Sequence, residues 1–280
     1  MNIVFIGAGR LATQLAQALH DRGHTIKAVY SRTMTSAKAL AEKVGAVATD
    51  DIDTLPVVGD LQFVVGDLQS ATDAIIMAVK DDALPLLAAQ LAERGASCPV
   101  YHTAGSVSID VLSALPHHGV LYPMQTFSKE RHVDFADIPF FIEASDDASL
   151  SVARSIAMSV SSHVTVLDSE RRRQLHLAAV FACNFANHCY TLAADILERN
   201  ALDFNVLLPL IGETAAKVAD LHPREAQTGP AVRYDKTVID RQSEMLADEP
   251  LTRQIYELMS ESIHQHSNKT EAGEVARAPK

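Results

Sequence analysis

The chain opens on an apolar run, residues 3–6, that stops at Gly7; polar and apolar positions then recur with the period of a one-sided helix as far as Gly23. A second apolar run covers residues 26–30. Strand, glycine turn, helix and strand in that order form one βαβ unit. The alternation continues with a helical segment at 36–45, an apolar strand at 74–79, a helical segment at 83–94, a strand at 99–104, and short strands around 119–122 and 140–143. A helix at 148–160 and a strand at 163–167 complete it. Strands alternating with helices predict an α/β fold, a Rossmann doubly wound parallel sheet.

From residue 169 the period turns helical and stays so, over 169–200, 203–221, 234–247 and 249–266, with Pro223, Gly229 and Pro230 punctuating one long connection. The expected organisation is therefore a Rossmann domain at 1–168 that binds the cofactor, an all-helical domain at 169–266 for substrate and dimerisation, and a polar, aperiodic tail at 267–280 read as disordered. A length of 280 residues with 48% apolar content suits two cores. Residues 57–62, VVGDLQ, recur as residues 64–69. Two copies cannot stack into a solenoid, so the repeat reads as a small surface hairpin without a function.

Composition narrows the partners. The net charge is −11 and no basic run exceeds Arg171-Arg172-Arg173, so nothing resembles the footprint of a nucleic-acid binder, and a small-molecule substrate is expected. Cys98, Cys183 and Cys189 are odd in number and lack CxxC spacing; neither a disulfide framework nor a metal site follows. With no secretory signal at residues 1–6, a cytoplasmic location is expected. Residues 174–194 carry no Asp, Glu, Lys or Arg, but His176, Asn184, Asn187 and His188 make membrane insertion costly and favour a buried soluble helix.

Gly7-Ala8-Gly9-Arg10-Leu11-Ala12 matches G-x-G-x-x-G/A where that pattern has a mechanism, between a first strand and its following helix. Gly7 permits the tight turn, Gly9 admits a pyrophosphate to the backbone, and Ala12 allows close helix packing, while free N–H groups and the helix dipole attract phosphate. The alternative is a structural turn in another α/β fold. At the end of the second strand, where an NAD enzyme places an acid on the ribose, the chain reads Ser31-Arg32-Thr33. A guanidinium and two hydroxyls suit a 2′-phosphate, so NADP is favoured over NAD and a methyltransferase is disfavoured. A solvated loop arginine is the other reading of Arg32. Ala78, Val79 and Lys80 end the 74–79 strand and face the ribose side; Thr103, Gly105 and Ser106, with His102, end the next strand and are expected near nicotinamide or substrate.

On a regular helix beginning near Ser169, His176, Cys183, Asn184, Asn187 and Thr191 fall within an arc of about 100°. Such a polar strip needs partners, because an unpaired buried amide costs about 1–3 kcal/mol. Internal hydrogen bonds in a core or dimer interface would serve; so would a substrate cleft. Hydride transfer to C=O or C=N needs a proton donor, and histidine can act at neutral pH. His176 is the first candidate, with Asn184 orienting substrate and Lys80 and His102 as the next choices.

The run GAGRLA, AVKDDA, HTAGS, LYPMQTF, HLAAVFACN and QTGPAVRYDKTV resembles the two-domain Rossmann-like NADP oxidoreductases whose C-terminal domain is catalogued only as of unknown function. The resemblance spans about residues 1–266. It implies an architecture similar to pyrroline-5-carboxylate reductase and the 6-phosphogluconate and 3-hydroxyisobutyrate dehydrogenases, with reduction of an imine or oxidation of a hydroxy acid, and a homodimer through the helical domain. Gln125 and Thr228 of these motifs are candidate substrate contacts beside Asn187, and Arg233 either binds a substrate carboxylate or pairs with Asp235 at a helix start. The chain departs from its relatives in three places. The catalytic lysine of the hydroxyacid dehydrogenases is replaced by His176, with Val180 in place of the asparagine one turn on. Tyr122 stands where HPLQTF has histidine, and Ala104 where HTSG has serine. Two rival readings are a regulatory or scaffold protein that binds NADP without turnover, and a helical assembly domain fused to a vestigial Rossmann fold.

Overall fold

The computed structural model describes residues 1–56, 71–128, 131 and 133–275. The VVGDLQ repeat lies outside the described residues. Contacts divide the chain into two compact units, Met1–Asn184 and Phe185–Lys280.

The first unit is built on eight strands in the order β3-β2-β1-β4-β5-β6-β7-β8. They are β1 (Asn2–Ile6), β2 (Thr25–Tyr30), β3 (Val47–Thr49), β4 (Ala74–Met77), β5 (Val100–His102), β6 (His118–Pro123), β7 (Phe140–Ala144) and β8 (Val164–Val166). Its helices are α1 (Arg10–Asp21), α2 (Met34–Val44), α3 (Leu84–Glu93), α4 (Asp147–Val160) and α5 (Ser169–Ala179). Side chains alternate across β1: Ile3 and Phe5 join Leu15, Leu19, Leu40 and Ile156 in one apolar cluster. Val4 and Ile6 join Leu84, Leu87 and Leu91 in another. The sheet is therefore covered by α1, α2 and α4 on one face and by α3 on the other, as a doubly wound fold requires.

Local chemistry sets the helix ends. The Thr33 side chain accepts from the Ser36 N–H at the start of α2, and Gly45 ends that helix with a φ of 65°. Asp146 caps α4 and Asp168 caps α5 in the same way. Two expectations are corrected here. The sheet is not parallel throughout, because β7 runs antiparallel to β6, Leu121 opposite Ile142. The described part of the link between them, residues 124–139, contains no helix, and a parallel pair needs a longer crossover. Strand β3, only three residues long and half-exposed, was not expected at all.

The contact division falls after Asn184, beyond the expected boundary at residue 168. The reason is Arg172, which is fully buried: its guanidinium donates to Glu143 on β7 at 2.5 Å, to the Val107 carbonyl at 2.5 Å and to the Ser169 hydroxyl at 3.0 Å. These bonds fasten α5 to the sheet.

The second unit contains α6 (Ala186–Arg199), α7 (Leu208–Asp220), the single turn α8 (Pro223–Ala226), α9 (Lys236–Glu244) and α10 (Pro250–Val275). Arg199 pairs with Glu249, and Arg253 and Ser243 converge on the Glu257 carboxylate. Helix α10 continues past residue 266, where the sequence places the start of a disordered tail, to Val275. Between α5 and α6, Val180–Phe185 is a π-helix. Among the described residues no helix is long and apolar enough to cross a membrane.

Candidate active site

Strands β1, β2, β4, β5 and β6 are parallel, so their carboxyl ends share one edge of the sheet. β1 is flanked by β2 on one side and β4 on the other, so the order in which successive strands are added reverses there; open α/β sheets bind ligands at this switch point. Gly7 has a φ of 113°, and a Cβ on it would lie 2.2 Å from the Ala78 carbonyl oxygen. Only glycine fits between the ends of β1 and β4. A Cβ on Gly9, in contrast, would meet no atom within 4 Å. α1 starts at Arg10 with no side-chain cap and no acid in its first turn, which leaves its positive end open to a phosphate. The residues present thus fit a dinucleotide at this turn.

At the end of β2, Arg32 is exposed and makes no hydrogen bond or ion pair with the described residues. Ser31 beside it is half-buried. Thr33 does not share their freedom: its hydroxyl donates to Ser36 and also serves as the α2 cap. All three residues expected at a 2′-phosphate thus lie together at the end of β2, with Thr33 also serving as the α2 cap. Lys80 at the end of β4 is exposed, and the adjacent Asp81 accepts a 2.7 Å hydrogen bond from Ser106, tying the β4 and β5 ends together.

The β5 end separates residues that the sequence grouped. His102 is fully buried; its Nδ1 accepts from the Ala104 N–H at 3.1 Å. Burial first, and the Arg172 guanidinium second, push its pKa down to about 3. Its Nε2 is buried as well, so no substrate atom reaches either nitrogen, and the expectation of His102 as a general acid is corrected: it is a pin beneath the loop. The Thr103 hydroxyl donates to the Met77 carbonyl at 3.4 Å.

Gly105 stands on the other side of that loop. A Cβ on it would lie 2.5 Å from Nδ1 of His176 and 2.8 Å from Cζ of Tyr122. The Tyr122 hydroxyl and His176 Nδ1 are 3.1 Å apart, and the rings meet edge-on with centroids at 6.0 Å. His176 is half-buried, and its Nε2 has no partner among the described residues yet is not sealed from solvent. Tyr122 is 8% exposed; burial raises its pKa, and Arg172 acts in the opposite direction. His176 follows Arg172 by four positions on α5, so the anchored guanidinium and the imidazole bonded to Tyr122 occupy one helix face. In the sequence Tyr122 stands only where relatives have an imidazole and Arg172 only within a charge run; neither carries a local signal of its role.

Gln125, beyond β6, is exposed and lines a pocket of about 480 Å³ with Arg10, Thr126, Ser128 and Arg131. Asn184 is exposed within the π-helix. The wider turn of that segment ends the constant 100° step at Ala179, so the single polar arc from His176 to Thr191 does not carry through. Asn187, Thr228 and Arg233 belong to the second unit and are exposed there. Arg233 makes no ion pair with Asp235, whose carboxylate caps α9 instead.

Two family models match. One, described as NADP oxidoreductase, coenzyme F420-dependent, covers residues 2–100. The other, described as a domain of unknown function (DUF2520), covers residues 138–263. A solved structure from Bacteroides fragilis, described as a "putative NADP oxidoreductase", is 48% identical, with 94% of this chain and 98% of that one covered and a TM-score of 0.85. An imine reductase of Streptomyces aurantiacus is 15% identical over 97% of this chain and 99% of its own, with a TM-score of 0.64. A pyrroline-5-carboxylate reductase of Coxiella burnetii is 17% identical over 96% and 97%, with a TM-score of 0.56. These last two are alike in fold. No curated protein matches the chain. With the glycine turn, the unengaged Arg32 and this 48% identical relative together, the chain belongs to the NADP oxidoreductase family that joins an NADP-binding Rossmann domain to a DUF2520 domain.

Proposed function

We propose that the protein transfers hydride between NADP(H) and a small metabolite bearing an imine, keto or hydroxy-acid group, and that His176 handles the accompanying proton. The observation that carries this reading is the imidazole of His176 lodged against Gly105 at the carboxyl end of β5, two strands along from the glycine turn. A proton donor is needed at the substrate heteroatom wherever hydride reaches carbon, and histidine is suited to that task near neutral pH.

The backbone of Gly7, Ala8, Gly9, Arg10 and Leu11 would hold the pyrophosphate, and Ser31 and Arg32 the 2′-phosphate. The main chain of Ala78, Val79 and Lys80 would border the ribose, and that of Thr103 and Gly105 the nicotinamide. The cofactor supplies or accepts the hydride when bound. Ser106, Gln125 and Asn184 are exposed polar groups available to orient substrate. The imine reductase and pyrroline-5-carboxylate reductase above use the same fold.

The helical unit would pair two copies. Leu208, Leu210 and Val218 on α7, and Leu251, Leu258 and Met259 on α10, are all exposed, and large apolar side chains left in water on both helices favour cover. A reducing cytoplasm suits three unpaired cysteines, of which Cys98 has its thiol pushed up to about 11 by burial. The test is His176→Ala. NADPH oxidation across a panel of imines and keto acids should fall by about 10²–10⁴-fold. Stabilisation by NADPH should persist. Undiminished turnover in the variant contradicts the role of His176, and no turnover by the native chain on any panel member favours a regulatory NADP-binding protein.

A further inference from the structure

We infer that Tyr122 is the proton source behind His176, the phenol donating to Nδ1 while Nε2–H faces the substrate, so that the two side chains form a relay. The inference rests on the oxidoreductase reading above and adds a second residue to it.

The direction of the hydrogen bond follows from what each group can do. The Tyr122 oxygen has one partner among the described residues, Nδ1 of His176 at 3.1 Å. Burial keeps the phenol protonated. A buried hydroxyl with a single neighbouring acceptor donates to it, since the reverse arrangement would leave its own O–H unpaired. The imidazole then carries its proton on Nε2, the nitrogen that has no protein partner and retains access to solvent. Gly105 makes the geometry possible, because any side chain there would occupy the space of both rings.

The surroundings can also receive the charge that a relay creates. Tyr122 sits on β6 between β5 and β7, with α5 packed beside it. From β5 comes His102, neutral in its sealed position. From β7 come Phe141, whose ring lies 6.4 Å away, and Glu143, whose charge is already matched by Arg172. From α5 come His176 itself and the Arg172 guanidinium, whose field favours the phenolate.

Hydride forms a C–H bond, and the π pair of the C=N or C=O moves to the heteroatom. The heteroatom takes the Nε2 proton, and Nδ1 takes the Tyr122 proton as the O–H bond breaks. The products are the amine or alcohol, a neutral His176 protonated on Nδ1, and a phenolate; water then protonates Nε2, leaving hydroxide in solvent, as the Nδ1 proton returns to the phenolate and restores the starting tautomer. Such a relay does not need an imidazolium. Reduction should therefore continue above about pH 6.5, where an ordinary imidazole loses its charge.

The experiment uses the full chain, saturated with NADPH and labelled with ¹⁵N-histidine, with the His176 signal assigned by its loss in His176→Gln. At alkaline pH the native protein should show Nε2–H with Nδ1 accepting a hydrogen bond, and Tyr122→Phe, which keeps the ring, should lose that signature. An Nδ1–H tautomer in the native chain, or an unchanged signal in Tyr122→Phe, overturns the relay. In parallel, reduction of 2-methyl-1-pyrroline and of pyruvate is followed against pH. The native profile should stay level as the pH is raised, and Tyr122→Phe should lose reduction rate progressively toward alkaline pH. Coincident profiles overturn the relay as well. No turnover of either probe counts against the oxidoreductase reading, and the tautomer then decides the relay by itself.

Discussion

Arg172 and His176 lie one turn apart on α5, the first fully buried and bound to Glu143, the second half-buried and bound to Tyr122. The anchor and the working group are thus parts of one rigid helix face. Glu143→Ala would leave a buried guanidinium without its counter-charge, a change that typically costs about 3–5 kcal/mol. Urea unfolding of the variant should show a loss of that order. A change within about 0.5 kcal/mol, the usual scale of a surface substitution, would mean that the pair does not anchor α5.

Gly105→Ala puts a methyl group 2.5 Å from His176 Nδ1. Overpacking of this kind costs about 1–3 kcal/mol. The rings of His176 and Tyr122 must separate to relieve it, so turnover should fall far more than NADPH affinity. Equal losses in both would place Gly105 in cofactor binding alone.

His102 predicts a pH dependence of stability. Its pKa is about 3 in the folded chain, through burial first and Arg172 second. An unfolded imidazole takes up its proton near pH 6.5. Below that value the unfolded state binds more protons, so stability is lost as pH falls from about 6.5 toward about 3, by up to about 1.4 kcal/mol per unit. The melting temperature should decline over that window. His102→Gln should lower stability at pH 7 and flatten the slope; an unchanged slope would assign the acid sensitivity to other groups.

Much of the Rossmann unit was legible because its signals are local. Apolar runs, the Gly7 and Gly9 turn and the Gly23 and Gly45 stops each act within a few residues. Strand direction is not encoded in apolar periodicity, so the antiparallel β7 could not be read, and three-residue β3 was too short to show a period. The site residues that escaped depend on distant partners. Arg172 looks solvated in a run of three arginines until Glu143, 29 residues away, is brought beside it. Tyr122 and His176 are 54 residues apart, and neither signals the other. The predicted polar arc failed for a different reason: it assumed one helical pitch where the chain inserts a π-helix.

On the proposed reading, the glycine turn and Arg32 together would select NADP. This selection is tested most directly by thermal stabilisation with NADPH and NADH, on the native chain and on Arg32→Ala. Ligand at 100 times its dissociation constant stabilises by about 2.7 kcal/mol. The native chain should gain far more from NADPH than from NADH at equal concentration, and Arg32→Ala should lose that preference by weakening NADPH about 10- to 100-fold, the worth of about 1.5–3 kcal/mol for a charged hydrogen bond. Equal stabilisation of the native chain by the two cofactors, or a preference untouched by Arg32→Ala, would contradict it.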